Sequence, residues 1–391
     1  MTDQPVVLTV NAGSSSLKFG VFTVAEPPVA KTLGLVEAIG TAPVLRLSCD
    51  AGRALRPEEA ADHSGALATV LDSLGDALPE VGVVAVGHRV VHGGPDLAGP
   101  RVVDDAVMEE IRRLAPFAPL HQPHNIAGIE AAARAFPDAV QVACFDTAFH
   151  RAQPRLNDLY ALPRRYYDKG VRRYGFHGLS YAHIAEVLRN EAPELHAGRL
   201  IVAHLGNGAS MCGMIGGRSV ASTMGFTALD GLAMGTRTGQ IDPGVILYLM
   251  QQEGLSIEEV SRLLYTGSGL LGLSGLSNDL RVLEAAGTPE ADEAIAYFVA
   301  RIRREIGSLA AALGGVDALV FCGGIGEHSA RVRGAVCDGM GWLGMEPDYA
   351  RNRAHGPDIS TPDSRVRILV IPANEELVIA RAAAARVGAR R

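Results

Sequence analysis

Several short stretches of this chain place reactive side chains beside small residues or at the ends of apolar runs. Val6 to Phe22 reads VVLTVNAGSSSLKFGVF. An apolar strand enters Asn11, Ala12, Gly13 and three serines, and the exit alternates Leu17, Phe19 and Val21 with Lys18 and Gly20 at the period of two of a pleated strand. The pattern predicts a hairpin whose hydroxyls, backbone N–H groups and lysine suit an anion, whereas a Walker loop would pass into a helix. An ordinary polar hairpin is the alternative. Arg89 lies in GHRVVHGG and Arg237 in GTRTG, where a guanidinium can hold carboxylate or phosphate oxygens bidentately or tie a loop through an ion pair. Asp146 ends an apolar run in CFDTAFH, placed to orient an attacking oxygen, hold a cation through water, or cap the next segment. His177 sits between glycines in YGFHG, where the backbone can bring an imidazole close to a substrate or simply pack it. Asn374, Glu375 and Glu376 precede the last helical pattern, as a cap or as hard-oxygen ligands.

The elements that must carry these residues follow from periodicity. Leu200 to Ile215, LIVAHLGNGASMCGMI, repeats the opening strand–turn–strand pattern about half a chain away, which suggests a duplicated unit. Ala318 to Ser329, ALVFCGGIGEHS, predicts a strand, a glycine turn and then a helix from about Ala330, a place for an anion or nucleotide. Further strands are expected over 81–91, 139–145 and 366–371. Helices are expected over 106–114, 125–136, 180–189, 290–313 and 375–387, with Pro116, Pro119 and Pro123 interrupting regular structure. Strands alternating with helices make an α/β fold.

Composition narrows the partners. A chain of 391 residues accommodates two domains, and 48% hydrophobic with 20% charged residues is ordinary globular usage. A net charge of -7 argues against a nucleic-acid or anionic-membrane surface and favours small molecules. Five cysteines without CxxC spacing imply neither a zinc site nor a disulfide framework, and no signal peptide or apolar span is legible, so a cytoplasmic protein is expected. His88 with His92 flanks an apparent strand and His121 with His124 a proline-rich loop, so helical i, i+4 ligation does not apply, and no third ligand is identifiable, which argues against a histidine metal site.

The ordered segments NAGSSSLKFGVF, GHRVVHGG, CFDTAFH, YGFHGLSYAHI, HLGNGAS, GLAMGTRTGQIDPG, GGIGE and NEELVIA strongly resemble the acetate kinase family, within the superfamily of acetate and sugar kinases, heat-shock ATPases and actin. The resemblance implies a duplicated two-domain actin-like ATPase fold with ribonuclease H-like cores and an inter-domain ATP cleft. The N-terminal domain would take residues 1–149 plus 374–391, and the C-terminal nucleotide-binding domain 150–373. It implies reversible, direct in-line transfer of the ATP γ-phosphoryl group to acetate, giving acetyl phosphate and ADP, by a cytoplasmic homodimer. Carried over by position, Asn11 and Glu375 would serve Mg2+, with Mn2+ as an alternative. Ser14, Ser16 and Lys18 would lie near the nucleotide phosphates. Arg89 would bind the substrate carboxylate, Asp146 would be catalytic, and His177 and Arg237 would stabilise the phosphoryl group in flight. His204, Leu205, Gly206, Asn207 and Gly208 would hold phosphates. Asp279, Leu280 and Arg281, with Gly324, Ile325, Gly326, Glu327 and His328, would surround adenosine and ribose. The acetate methyl group would meet Val91, Leu120, Phe176 and Ala228.

Three positions depart from the family pattern: Ala228 where proline is usual, Gln240 where aspartate is usual, and His328 where asparagine is usual. Losing a proline ring at Ala228 widens the acyl pocket, and one added methylene is worth only about 1 to 3 kcal/mol. Propionate is therefore expected to retain at least about a thousandth of the acetate specificity constant. Hydroxamate formation with the two acids measures that ratio, and a smaller value would exclude the wider pocket.

Overall fold

The computed structural model describes residues 4–13, 16–48, 53–62, 65–70, 73, 81–119 and 121–388. The chain divides into two compact units, one of residues 1–149 with 374–391 and one of residues 150–373.

The first unit holds a sheet of eight strands: β1 (Gln4–Ala12), β2 (Leu17–Thr23), β3 (Ala30–Glu37), β4 (Val44–Leu47), β5 (Arg53–Ala54), β6 (Val81–Val90), β7 (Arg101–Val102) and β8 (Val140–Phe145). They lie in the order β5-β4-β3-β2-β1-β6-β8-β7. β1 to β5 form an antiparallel meander, while β1, β6 and β8 run parallel. Val6 to Ala12 are buried without alternation because β1 is central and covered on both faces. The opening hairpin forms as the alternation predicts: Asn11 pairs with Lys18, Ala12 with Leu17, and Gly13 N donates to Ser16 O at 2.8 Å.

Helix α1 (Asp105–Arg113) is capped by Asp104 and buries Met108 and Ile111. Helix α2 (Gln122–Ala135) begins before the position expected, because Pro123 falls in its first turn, where the missing N–H costs nothing. Two side chains of that first turn fasten the strand ends. Asn125 Nδ2 donates to Ala12 O at 3.1 Å and its Oδ1 accepts from Val91 N at 3.0 Å. Gln122 bonds both the N–H and the carbonyl of His92.

In the second unit, β9 (Arg199–Leu205), β10 (Ala209–Ile215), β11 (Arg218–Ser222), β12 (Ala318–Cys322) and β13 (Arg367–Val370) lie in the order β11-β10-β9-β12-β13. The pattern repeats the first sheet: an antiparallel β9-β10-β11 meander, with β9, β12 and β13 parallel. Helix α3 (Gly178–Glu191) precedes it. Helix α4 (Pro289–Leu313) starts at a Thr288 cap with Pro289 behind it and ends at Gly314 with φ 70°. Its Ala291, Ala294, Ile295, Phe298, Ile302, Ile306 and Leu309 are buried at helical spacing, so this long helix is core.

The glycine turn expected after β12 is instead helical. Gly323–His328 forms α5 directly, with Gly323 at φ 76°, and Ala330–Asp338 follows as α6, capped by Ser329.

The last helix, α7 (Glu375–Gly388), packs on β1, β6 and β8 of the first sheet. Gly87 of β6 permits its close approach, since a Cβ there would come within 2.5 Å of Ile379 Cγ2. Replacing Asn125 by leucine keeps the shape but orphans Ala12 O and Val91 N. The urea midpoint should fall by the equivalent of about 2 to 4 kcal/mol.

Candidate active site

Three adjacent parallel strands end side by side in the first unit and deliver three of the singled-out residues. Asn11 lies at the end of β1, Arg89 at the end of β6, and Asp146 one residue past β8, its N–H donating to Val90 O at 3.0 Å. Arg89 Nε donates to both Asp146 oxygens at 3.0 and 3.1 Å, Nη2 donates to Oδ2 at 2.6 Å, and Nη1 donates to Asn11 Oδ1 at 3.1 Å. These bonds leave one N–H on each Nη for another acceptor.

Glu375 enters from the first turn of α7. Its Oε2 accepts from Asn11 Nδ2 at 3.3 Å and lies 3.8 Å from Arg89 Nε. Capping of α7 falls instead to Asn374, whose Oδ1 accepts from Leu377 N. Both Asp146 oxygens accept from Arg89, and Thr147 Oγ1 accepts from Gly93 N at 3.0 Å.

Asp146 is 1% exposed. Burial pushes its carboxyl up to about 6 against the pull of Arg89. Burial alone would weaken the Arg89 cation, but Asp146 and Glu375 more than offset it, and the guanidinium is held charged. His88, on the same strand, is structural: burial lowers it to about 4, and Nε2 bonds Gln141 at 2.8 Å. His92 Nδ1 accepts from Gly94 N. Lys18 stands exposed on β2 opposite Asn11, and Ser16 closes the hairpin turn. Ser14 and Leu120 lie outside the described residues, and Val91 is buried beside the Asn125 clamp.

In the second unit the β9-β10 turn, Gly206 to Gly208, is bordered by two side chains from distant loops. A Cβ on Gly208 would lie 3.4 Å from His177 Nε2 and 4.0 Å from Arg237 Nη1. Arg237 Nη1 also donates to the carbonyl of half-buried Ala228 at 3.1 Å. His204 stacks on His177 with ring centroids 4.3 Å apart, and Ser180 Oγ bonds its Nδ1 at 2.8 Å. Phe176 is buried, and its carbonyl accepts from His150 Nε2.

The same turn opens on a cavity of about 390 Å³ lined by Gly206, Asn207, Asn278, Asp279, Leu280, Arg281, Glu284, Gly324, Ile325, His328 and Ser329. Eight of these belong to the residues expected around phosphates and adenosine. Asn278, Glu284 and Ser329 were not singled out. The Asn278 amide bonds Asn207 Oδ1 at 3.2 Å, and Ser329 Oγ donates to Glu284 at 2.7 Å.

Leu205 and Gly326 are buried and are not among the residues lining the cavity. Glu327 turns away from it, accepting from Gly323 N at 2.8 Å and Ala373 N at 3.0 Å, and so caps α5. Gln240 has a role without a charge: its Oε1 accepts from Nη2 of buried Arg301 at 2.5 Å, and Glu305 lies 3.8 Å from that guanidinium.

Residues 6–381 match the sequence profile of the acetokinase family. The chain is 55% identical over 388 residues to a protein of Methylocella silvestris named acetate kinase, covering 96% of each. Among solved structures it is similar to an acetate kinase of Porphyromonas gingivalis, with TM-score 0.86, 37% identity and coverage of 96% and 98%. It is also similar to a propionate kinase of Francisella tularensis, with TM-score 0.90, 35% identity and coverage of 97% and 98%. The fold is accordingly the duplicated actin-like kinase fold.

Arg89 is the cation that keeps Asp146 from rising further. In the metal-free chain, carboxyl 13C NMR should show Asp146 titrating near 6 and, after Arg89→Leu, at a higher value. A downward shift would contradict the contact.

Proposed function

The chain belongs to the acetokinase family, and on that premise we propose that it transfers the γ-phosphoryl group of ATP reversibly to acetate, forming acetyl phosphate and ADP. One observation carries the reading. The Gly206–Gly208 turn lines the 390 Å³ cavity on one side and is bordered by His177 and Arg237 on the other. A nucleotide whose base and ribose fill the cavity runs its phosphates along that turn, and the terminal phosphate reaches two donors of opposite origin.

A carboxylate attacking a phosphate brings two anions together, so the barrier is lowered by positive groups already in place. Arg237 and His177 take the equatorial oxygens of the moving phosphoryl group. Arg89 takes the acetate carboxylate with the N–H groups that Asp146 and Asn11 leave over, and Asp146 fixes the plane of that guanidinium. Lys18 and Ser16 serve the nucleotide phosphates. Val91, Phe176 and Ala228 receive the methyl group, and the small side chain of Ala228 also admits propionate. No covalent enzyme intermediate is needed.

Asn11 and Glu375 would supply an amide oxygen and a carboxylate, the one or two protein oxygens that magnesium takes while keeping water, once the Asn11 amide, whose Nδ2 here donates to Glu375 and whose Oδ1 accepts from Arg89, turns its oxygen to the ion. Mg2+, or Mn2+ in its place, would be held there and would neutralise phosphate charge. The protein acts in the cytoplasm, consistent with its use of ATP and with the free thiols of Cys144, Cys212, Cys322 and Cys337.

It acts as a homodimer. Support comes from the helix Pro243–Gln251, which is apolar yet buries none of its side chains, with Leu247 55% and Tyr248 53% exposed. The neighbouring helix Ile257–Thr266 adds exposed Ile257 and Leu263.

ATP-dependent hydroxamate formation across acetate, propionate and butyrate tests the reaction, and absence of product with all three would refute it. Arg237→Ala should lower turnover at least about a hundredfold while ATP binding survives, in line with the loss of one pre-placed donor. Near-normal turnover would remove Arg237 from its role. Leu247→Asp should convert the sedimenting species from twice the chain mass to the chain mass.

A further inference from the structure

His177 is held in the left-handed backbone conformation, with φ 57° at the start of α3, which is uncommon outside glycine and is adopted mainly by asparagine, aspartate and histidine. Two features over-determine it. His150, fully buried, donates from Nε2 to Phe176 O at 2.9 Å, and its Nδ1 lies 2.9 Å from Ser219 Oγ. Gly175, at φ 71°, lets that ring approach, since a Cβ there would lie 2.6 Å from it. The peptide before His177 is therefore clamped, and the imidazole is confined further by His204 stacked on its face.

The ring then presents its two nitrogens to different surroundings. Nε2 faces the Gly208 turn. Nδ1 lies 2.8 Å from Ser210 Oγ on β10, and Ser210 Oγ lies 2.5 Å from the hydroxyl of Tyr181, four residues along α3 from His177. Ser210 and Tyr181 are fully buried. Burial pushes the Tyr181 phenol well above 10, so it keeps its proton and can donate it.

Which nitrogen of a neutral imidazole carries the proton is set by the bond the other one makes. Two directions are open. With Tyr181 donating to Ser210 and Ser210 donating to His177 Nδ1, the ring proton sits on Nε2. With the direction reversed, Nε2 turns a lone pair towards the turn, against any phosphoryl oxygen there, which is repulsive.

We propose that Tyr181 and Ser210 are positioning residues that hold His177 as the Nε2–H tautomer, so that it donates a hydrogen bond to the transferring phosphoryl group. The inference rests on the reading that His177 faces that group.

The test has two independent arms on the full-length chain. Two-bond 1H–15N correlation NMR, with the His177 signals identified by their loss in His177→Asn, should show the Nε2–H tautomer in the wild type. Ser210→Ala and Tyr181→Phe should shift those signals towards a mixture. In steady-state kinetics, both variants should lose about tenfold or more in kcat with KM for ATP and acetate within about twofold.

Wild-type His177 with its proton on Nδ1, or Ser210→Ala with unchanged kcat and tautomer, overturns the inference. Because the tautomer is read on the wild-type chain and His177→Asn serves only to identify its signals, a misfolded Ser210 or Tyr181 variant cannot shelter it. A chain that makes acetyl phosphate but carries Nδ1–H at His177 refutes this inference alone, whereas a chain that makes none refutes the kinase reading.

Discussion

Burying a guanidinium is costly unless its charge and N–H groups are answered, and the first unit is arranged around answering Arg89. Asp146 supplies the charge and Asn11 a neutral acceptor, with Glu375 close by. Parallel β1, β6 and β8 are neighbours in that order, so their ends bring Asn11, Arg89 and Asp146 together without any long loop. The first turn of α2 then pins the same strand ends through Asn125 and Gln122. A base of this kind keeps the arginine pre-aligned, with little of its side-chain freedom left to lose.

The second unit reuses the sheet order for another purpose. Its hairpin turn carries glycines where the first carries hydroxyls, and side chains from elsewhere supply the polarity: His177 from the start of α3 and Arg237 from a loop tied back to Ala228. That loop is anchored through Gln240 to Arg301 on the long core helix α4. An uncharged amide suffices there because Glu305 lies on the same helix, close to the arginine. Gln240 thus ties the loop to Arg301 without bringing a charge of its own.

Much of this was legible in the residues. Both hairpins show because strand, small-residue turn and strand are local signals, and α4 and α7 show because their apolar spacing is long and regular. The start of α2 was missed because proline reads as a breaker unless its place in the first turn is known. The strands β3, β4 and β5 were missed as well. The first carries a glycine and exposed leucine, and the others are too short for a periodic signal.

At the site, the types Arg89, Asp146, His177 and Arg237 announced charge and proton chemistry, but not their pairing. That Asp146 grips Arg89, that Glu375 reaches Asn11 and leaves the cap of α7 to Asn374, and that Glu327 turns to Ala373 depend on contacts far apart in sequence. Gln122, Asn125, Ser210 and Tyr181 carried no sequence signal, since a buried polar residue on an otherwise apolar element looks like any surface position.

The bond between Asn11 and Glu375 joins residues 364 apart. During synthesis from the N-terminus the chain therefore makes β1 among its first elements and must wait for nearly all the rest before α7 can settle over Gly87. Until then the face of the first sheet that α7 will cover stays open to water, and Arg89 lacks one of its two carboxylate neighbours. A chain that stops before α7 therefore lacks Glu375 beside Arg89 and the helix that covers this sheet, however complete its second unit.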